Sequence, residues 1–387
     1  MKKKKGGKYL RQEVREKGAL LKTGLPLLIS GFLSLSLLQT VLCQNKAPAP
    51  VQSGTANYEL LDRFEMQTTN DISGALEGVL AIEKTYWLSD DDQVAPEPDQ
   101  SKYGSTNDPS TLGWLLEEAA ELLDGQTMHF NTGIKLTPGS KVNYYLDDSI
   151  LAITWKQDID WITYSFSEVK ISHPSQFRRF LAGGEYGSSV QLTTTEMSKS
   201  VNAVVASSGD FYKFRTSGII VYDGVLQKMN GKRYDTCFID KNSDLQFVYA
   251  GQITEKADAE KYIADNDIRF SLGFGPVMIE NGEIVDINGN YAIGEVSGKY
   301  PRAGLGQIDK LHYILVTANS ETFPDIPDIY EFAEIGKMLG CDKFYNLDGG
   351  QTAVLCMNDK LINKVIYGAQ RQISDIIYFA TAIPEGG

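Results

Sequence analysis

The stretch from 142 to 172, VNYYLDDSILAITWKQDIDWITYSFSEVKIS, most narrows what this chain can become. β-branched and aromatic residues fill it, and Asp-Asp and Gln-Asp pairs punctuate it, which is the pattern of a strand meander. Helical signals around it are short and separate. Asp108 caps and Pro109 opens one helix, with Leu112, Leu115, Leu116, Ala119, Leu122 and Leu123 at helical spacing and Gly125 closing it. His173 to Leu181 reads as a second short helix ended by Gly183-Gly184. Thr193 and Glu196 have capping-box spacing and open a third, followed by the apolar strand Ala203-Val204-Val205-Ala206. Pro327 and Asp328 start a fourth, with Ile329, Phe332, Ile335 and Leu339 on one face and Gly340 as its stop. Further strands are expected over 269–279, 312–316 and 361–365, the last closing a hairpin across Asn358-Asp359. Strands interleaved irregularly with short helices predict an α+β fold: a mixed β-sheet core with flanking helices.

The amino terminus has a different character. Nine lysines and arginines against two glutamates give residues 1–43 a net +7, so the rest of a chain of net charge −13 carries −20. A body this acidic repels nucleic-acid phosphates, and no nucleic-acid partner is expected. Thr23 to Asn45 holds no charged residue, and some 20 apolar residues suffice to cross a bilayer as a helix. The layout read from this is a basic cytoplasmic tail (1–22), a transmembrane anchor or signal segment (23–43), a linker (44–56), an N-terminal α/β region (57–170) and a carboxy-terminal domain (171–384). The basic flank places the body outside the cytoplasm, on a single-pass anchor. Cleavage to a secreted form, or lipidation at Cys43, are the alternatives, and they too export the body. Cys237, Cys341 and Cys356 remain, an odd number and no disulfide framework. Pairing of Cys341 with Cys356 is one option; burial of each as a small hydrophobe is the expectation. Three scattered histidines exclude a His-rich metal centre.

Two acid–glycine segments carry the chemistry. Asp348-Gly349-Gly350 has two glycines whose N–H groups can approach an anion, and an acid suited to another part of the same ligand. The same residues equally suit a plain hairpin turn. Ser208-Gly209-Asp210 sits where a strand runs into a polar loop, a common place for chemistry, although a turn explains it as well. Lys213 and Arg215 follow closely and can answer a phosphate charge, and Arg302 is another candidate clamp. Arg371 either contacts ligand or, with Asp375, forms an ion pair that holds the last strand. His312, beside an apolar run, is read as a core histidine.

Asn346-Leu347-Asp348-Gly349-Gly350 followed by hydroxyl-bearing Thr352 resembles the signature of the phosphodiester glycosidase family. Ala203 to Tyr212, Phe270 to Val277 and Gln372 to Tyr378 are similar to three further family segments in the same order, so the likeness runs over roughly 170–384. It departs at Ser208, where the family usually has Asn, and at Gln351-Thr352-Ala353. At Asn319-Ser320-Glu321 the family usually has Asp-Gly-Arg. The resemblance implies hydrolysis of a sugar 1-phosphodiester at the anomeric carbon, on a substrate such as a wall or cell-surface phosphoglycan. It assigns Asp348 or Asp210 to the positive centre or to activating water. Gly349, Gly350, Gln351, Thr352, Ser208, Gly209, Lys213, Arg215, Arg302 and Arg371 would hold substrate. The departing phosphodiester is already a weak base, so such a site can do without a strong general acid. A divalent cation between the aspartates is compatible with this, but no spacing demands one. Rival readings are a catalytically inactive protein that binds or assembles wall phosphoglycans, and a phosphodiesterase cutting the P–O bond.

Overall fold

The computed structural model describes residues 86–87, 94–287, 296–319, 321 and 325–384. The basic tail, apolar segment and linker expected over 1–56 lie outside these residues. No helix among the described residues is long and apolar enough to cross a membrane.

Among the described residues twenty-one strands follow one another. They are β1 (Tyr86–Trp87), β2 (Tyr103–Thr106), β3 (Val142–Leu146), β4 (Ile150–Ile159), β5 (Ile162–Ile171), β6 (Phe177–Leu181) and β7 (Val205–Ser208). Next come β8 (Gly218–Tyr222), β9 (Val225–Asn230), β10 (Thr236–Asp240), β11 (Leu245–Val248), β12 (Ile268–Leu272), β13 (Val277–Glu280) and β14 (Glu283–Ile284). The last seven are β15 (Arg302–Asp309), β16 (His312–Asn319), β17 (Lys343–Leu347), β18 (Leu355–Met357), β19 (Lys360–Leu361), β20 (Asp375–Phe379) and β21 (Ile383–Pro384). A nine-stranded sheet in the order β14-β13-β17-β15-β16-β5-β4-β3-β2 forms the frame. The meander foreseen over 142–172 is its β3-β4-β5 portion, and β5 pairs directly with β16, so both halves of the chain build one sheet.

Both faces of this sheet are covered, which explains why β5 and β16 are buried at every position. Alternate residues feed two cores. Tyr164, Phe166, Ile314 and Val316 point to a helical layer that includes Leu112, Leu115, Phe332 and Leu339. Val169, Ile171, Tyr313 and Leu315 point the other way, against Val205, Ile377 and Phe379 of a five-stranded sheet and Ile239 and Leu272 of a three-stranded one. Each aromatic side chain fully buried in these layers contributes roughly 1.5–3 kcal/mol.

The fold is α+β, but its pairing departs from the expected mixed sheet. Every strand pair among the described residues is antiparallel. The helices at 113–123 and 329–338 cover one face of the nine-stranded sheet, and those at 194–200 and 256–265 pack on the smaller sheets; none serves as a crossover between parallel strands. A second departure concerns 173–181: after a single 3-10 turn at Pro174–Gln176 the chain extends into β6, which pairs with β20. The Pro174 start signal is real, but the pairing overrides a helical continuation. The helices at 194–200 and 329–338 begin as expected, with capping boxes on Thr193/Glu196 and Asp328/Glu331. The hairpin across Asn358-Asp359 forms, with both turn residues at positive φ, but its second strand reaches only Leu361. Cys237, Cys341 and Cys356 are free and buried.

Candidate active site

β7 and β20 lie side by side in the five-stranded sheet, and β17 belongs to the nine-stranded one. Their ends meet. The Asp348 N–H donates to the Gly209 carbonyl at 3.5 Å, and the Ser208 hydroxyl reaches the Asp348 carbonyl at 3.5 Å. Two chain-distant acid–glycine tips therefore form one locus. Each tip depends on a glycine. A Cβ on Gly209 would stand 2.4 Å from an Asp375 carboxylate oxygen, and one on Gly349 would stand 2.4 Å from the Pro301 carbonyl oxygen.

The two aspartates have different fates. Asp210 is almost fully buried, and its carboxylate accepts the N–H groups of Phe211 and Gly273, each at 2.6 Å. Its own N–H donates to Asp375, whose carboxylate also takes Arg179 Nε and Nη2 at 2.8 Å. Arg179 Nη2 lies 3.8 Å from Asp210, so one buried guanidinium serves both acids, and Arg179 also donates to the Ser271 carbonyl. Burial pushes the Asp375 carboxyl up, and Arg179 works against it. Asp210 is thus a tie between loops, not a group facing open space.

Asp348 faces a cavity of about 200 Å³. That is below the roughly 300–1,000 Å³ of pockets for drug-sized molecules and suits a single ring. Phe211, Arg215, Phe274, Tyr300, Arg302 and Asn346 share the lining with Gly349, Gly350 and Arg371. The Asp348 Oδ2 atom is buried without a hydrogen-bond partner among the described residues. Burial pushes its carboxyl up to about 6. The neighbouring Thr352 hydroxyl and Arg215 guanidinium oppose that shift, but the Thr352 proton is given to the Gly349 carbonyl at 2.5 Å. Asn346, two residues earlier and so on the same face of β17, donates its amide to the Gly275 carbonyl at 2.8 Å and leaves Oδ1 unpartnered. Two acceptor oxygens therefore wait on one wall of the cavity.

Cations occupy another part of the lining. Arg215 rests over the rings of Phe274 at 4.1 Å and Tyr234 at 4.5 Å, with Nη1 donating to the Phe274 carbonyl. Arg371 is exposed and lies over Phe211 at 5.4 Å and Phe214 at 5.6 Å. Arg215 also lies over Phe211, at 5.8 Å, so one aromatic ring steadies both guanidiniums. Arg302 lines the cavity as well, yet its guanidinium donates to the Gly298 and Pro327 carbonyls and is 1% exposed.

Of the residues expected at the site, Asp348, Gly349, Gly350, Arg215, Arg302 and Arg371 line the cavity, and Asp210, Ser208, Gly209, Lys213, Gln351 and Thr352 are absent from its lining. Lys213 donates to the Ser188 carbonyl and Gln351 to that of Ala369. The Gly350 N–H is spent on the Pro301 carbonyl at 2.8 Å, so it is not a donor for an anion. Asn319 accepts from Asn363, and Glu321 pairs with Lys156 and the Lys364 N–H, so these two departures from the family pattern brace a neighbouring loop. His312 is buried against Glu168 at 2.9 Å and takes no part in the cavity. Among the described residues no three His, Cys, Asp or Glu side chains form a metal-holding group. Sequence reasoning passed over Asn346, Phe211, Phe274 and Tyr300. Asn346, Phe211 and Phe274 fall within the segments that resemble the family, and alternation along β17 was a further signal for Asn346; Tyr300 had none.

Comparison with known proteins adds the family. The phosphodiester glycosidase model matches residues 201–380. The catalytic domain of zebrafish N-acetylglucosamine-1-phosphodiester alpha-N-acetylglucosaminidase, auto-inhibited by its pro-peptide, has a similar fold, with TM-score 0.50 and 16% identity over 76% of this chain and 99% of that one. A hypothetical protein from Synechocystis aligns at TM-score 0.44 and 14% identity, over 62% of this chain and 64% of its own. The match thus spans less than two thirds of the Synechocystis chain. No curated protein sequence matches this chain.

Proposed function

With residues 201–380 forming a domain of the phosphodiester glycosidase family, we propose that this chain hydrolyses the bond between the anomeric carbon of a sugar and a phosphodiester, outside the cytoplasm, on a cell-surface or wall glycopolymer. The observation that carries this reading is Asp348: a buried carboxylate with an unpartnered oxygen, facing a ring-sized cavity that Arg215, Arg302 and Arg371 also line. The sugar ring would lie against Asn346 and Asp348, its hydroxyl or amide protons meeting Asn346 Oδ1. The phosphate would lie towards Arg215 and Arg371, which can pair with phosphate oxygens in a planar, bidentate way.

In the reaction the C–O bond breaks and the electron pair leaves with the phosphate, whose charge the arginines neutralise. Ionised Asp348 stabilises the positive anomeric carbon or draws a proton from the entering water. Free sugar and a phosphomonoester result. Asp210, Arg179 and Asp375 position this wall by fixing the loop that carries Phe211. Export is supported by the charge-free stretch 23–45 behind a basic cluster.

Hydrolysis of a sugar 1-phosphodiester in ¹⁸O-labelled water tests the chemistry. Label in the released sugar, lost in Asp348→Asn, is the expected result. Label in the phosphate would instead mean P–O cleavage, and tight binding without turnover would favour an assembly protein.

A further inference from the structure

A hollow larger than the Asp348 cavity lies elsewhere among the described residues. A groove of about 930 Å³ runs between the helical segment at 113–123 and the ends of β2, β3 and β5, with Lys170, Lys310 and Leu311 at its base. Strand register places it far from Asp348. Arg302, Leu347, Asn319 and Thr163 stand together at one end of the nine-stranded sheet, and Lys170 and His312 face each other at the other. From Thr163 to Lys170 β5 alone spans roughly 23 Å. Most of the groove's lining also precedes the family-matched segment.

Two polar groups here lack partners they would ordinarily have. Gln126 Oε1 is buried with none among the described residues. Lys170, 4% exposed, uses one of three ammonium protons, on the Lys310 carbonyl at 2.9 Å. An unmet donor and an unmet acceptor in one groove ask for a ligand that both gives and accepts hydrogen bonds. Beside them Trp114 is 43% exposed, its ring edge-to-face with Tyr144 at 5.9 Å. A large aromatic face held open over polar groups suits a pyranose, which has an apolar C–H face and a rim of hydroxyls. Five carboxylates against three lysines in the lining disfavour an anionic ligand.

We propose that this groove is a second binding site, for an oligosaccharide without anionic groups, stacked on Trp114 and hydrogen-bonded by Lys170 and Gln126. It goes beyond the glycosidase reading, under which it would hold a sugar segment remote from the bond being cut. It needs no hydrolysis at Asp348, so it can stand if that reading falls. The test is calorimetric titration of the full chain with chitotriose, cellotriose and maltotriose. At least one should bind, at least tenfold more weakly to Trp114→Ala and at least threefold more weakly to the milder Gln126→Ala. Asp348→Asn should bind it as the wild type does, and a sulfated form of the same sugar at least fivefold more weakly. Failure of all three sugars to bind, or binding that neither groove variant weakens, overturns the proposal.

Discussion

Asp348 carries its charge at a cost to the fold, and the cost has a sign. Its native carboxyl is raised to about 6 from an ordinary value of 3.8, so between those values the native state holds more protons than the unfolded one. Stability from this group is full below pH 3.8 and falls as pH rises towards 6. At pH 7, Asp348→Asn should therefore stabilise the protein, on the order of 1–3 kcal/mol, while abolishing turnover. Thermal unfolding and activity assays of the same preparation check both halves; a variant both inactive and less stable would contradict this account. If the ionised form acts, kcat/KM should rise through an apparent pKa of about 6, with about tenfold less activity at pH 5 than at pH 7. Arg371 is exposed and rests only on aromatic faces, so Arg371→Ala should leave stability within about 0.5 kcal/mol and raise KM about tenfold. A KM that does not move would place the phosphate elsewhere.

Among the elements, β6 and β20 decide whether the site exists. Arg179 on β6 and Asp375 on β20 meet 196 residues apart in sequence, fully buried, and through the Asp210 N–H they set the loop after β7. Asp375→Asn should cost about 3 kcal/mol, because it leaves the buried Arg179 charge with the more distant Asp210 as its remaining carboxylate. Urea unfolding measures this, and near-neutral stability would show the pair to be dispensable. The contrast between these residues also explains what could be read in advance. Asp348-Gly349-Gly350 is a local signal, an acid and two glycines at a strand end, and it does lead to the cavity. Asp210 looked identical on local grounds, yet it is turned inward by partners at 179, 273 and 375 that no spacing predicts. The helix starts at Thr193 and Asp328 were legible because each cap closes within four residues. β6 was not, because a start signal at Pro174 outweighed the alternation of Phe177, Arg179 and Leu181, whose meaning depends on a partner strand near the carboxy terminus.

At the scale of the molecule, the sheet that positions Asp348 is built jointly by 103–171 and the segment matched to the family. Removing residues up to 171 should therefore abolish soluble expression of the remainder, because β16 would lose β5 along its whole length. A soluble, folded 172–387 fragment would refute this. Export makes a separate prediction: protease added to intact cells should digest the body and spare it only when the apolar segment is deleted. Protection of the full chain in intact cells would place the body inside.

β1 and β21 pair, Tyr86 with Pro384 and Trp87 with Ile383, so the described residues begin and finish at a common seam. A short peptide bridge across that seam, with new termini opened at the exposed Asp223-Gly224 turn between β8 and β9, should give a circular permutant with the same architecture. In such a permutant the apolar segment 23–45 could be joined at the Asp223-Gly224 turn instead of ahead of β1, while leaving the cavity untouched.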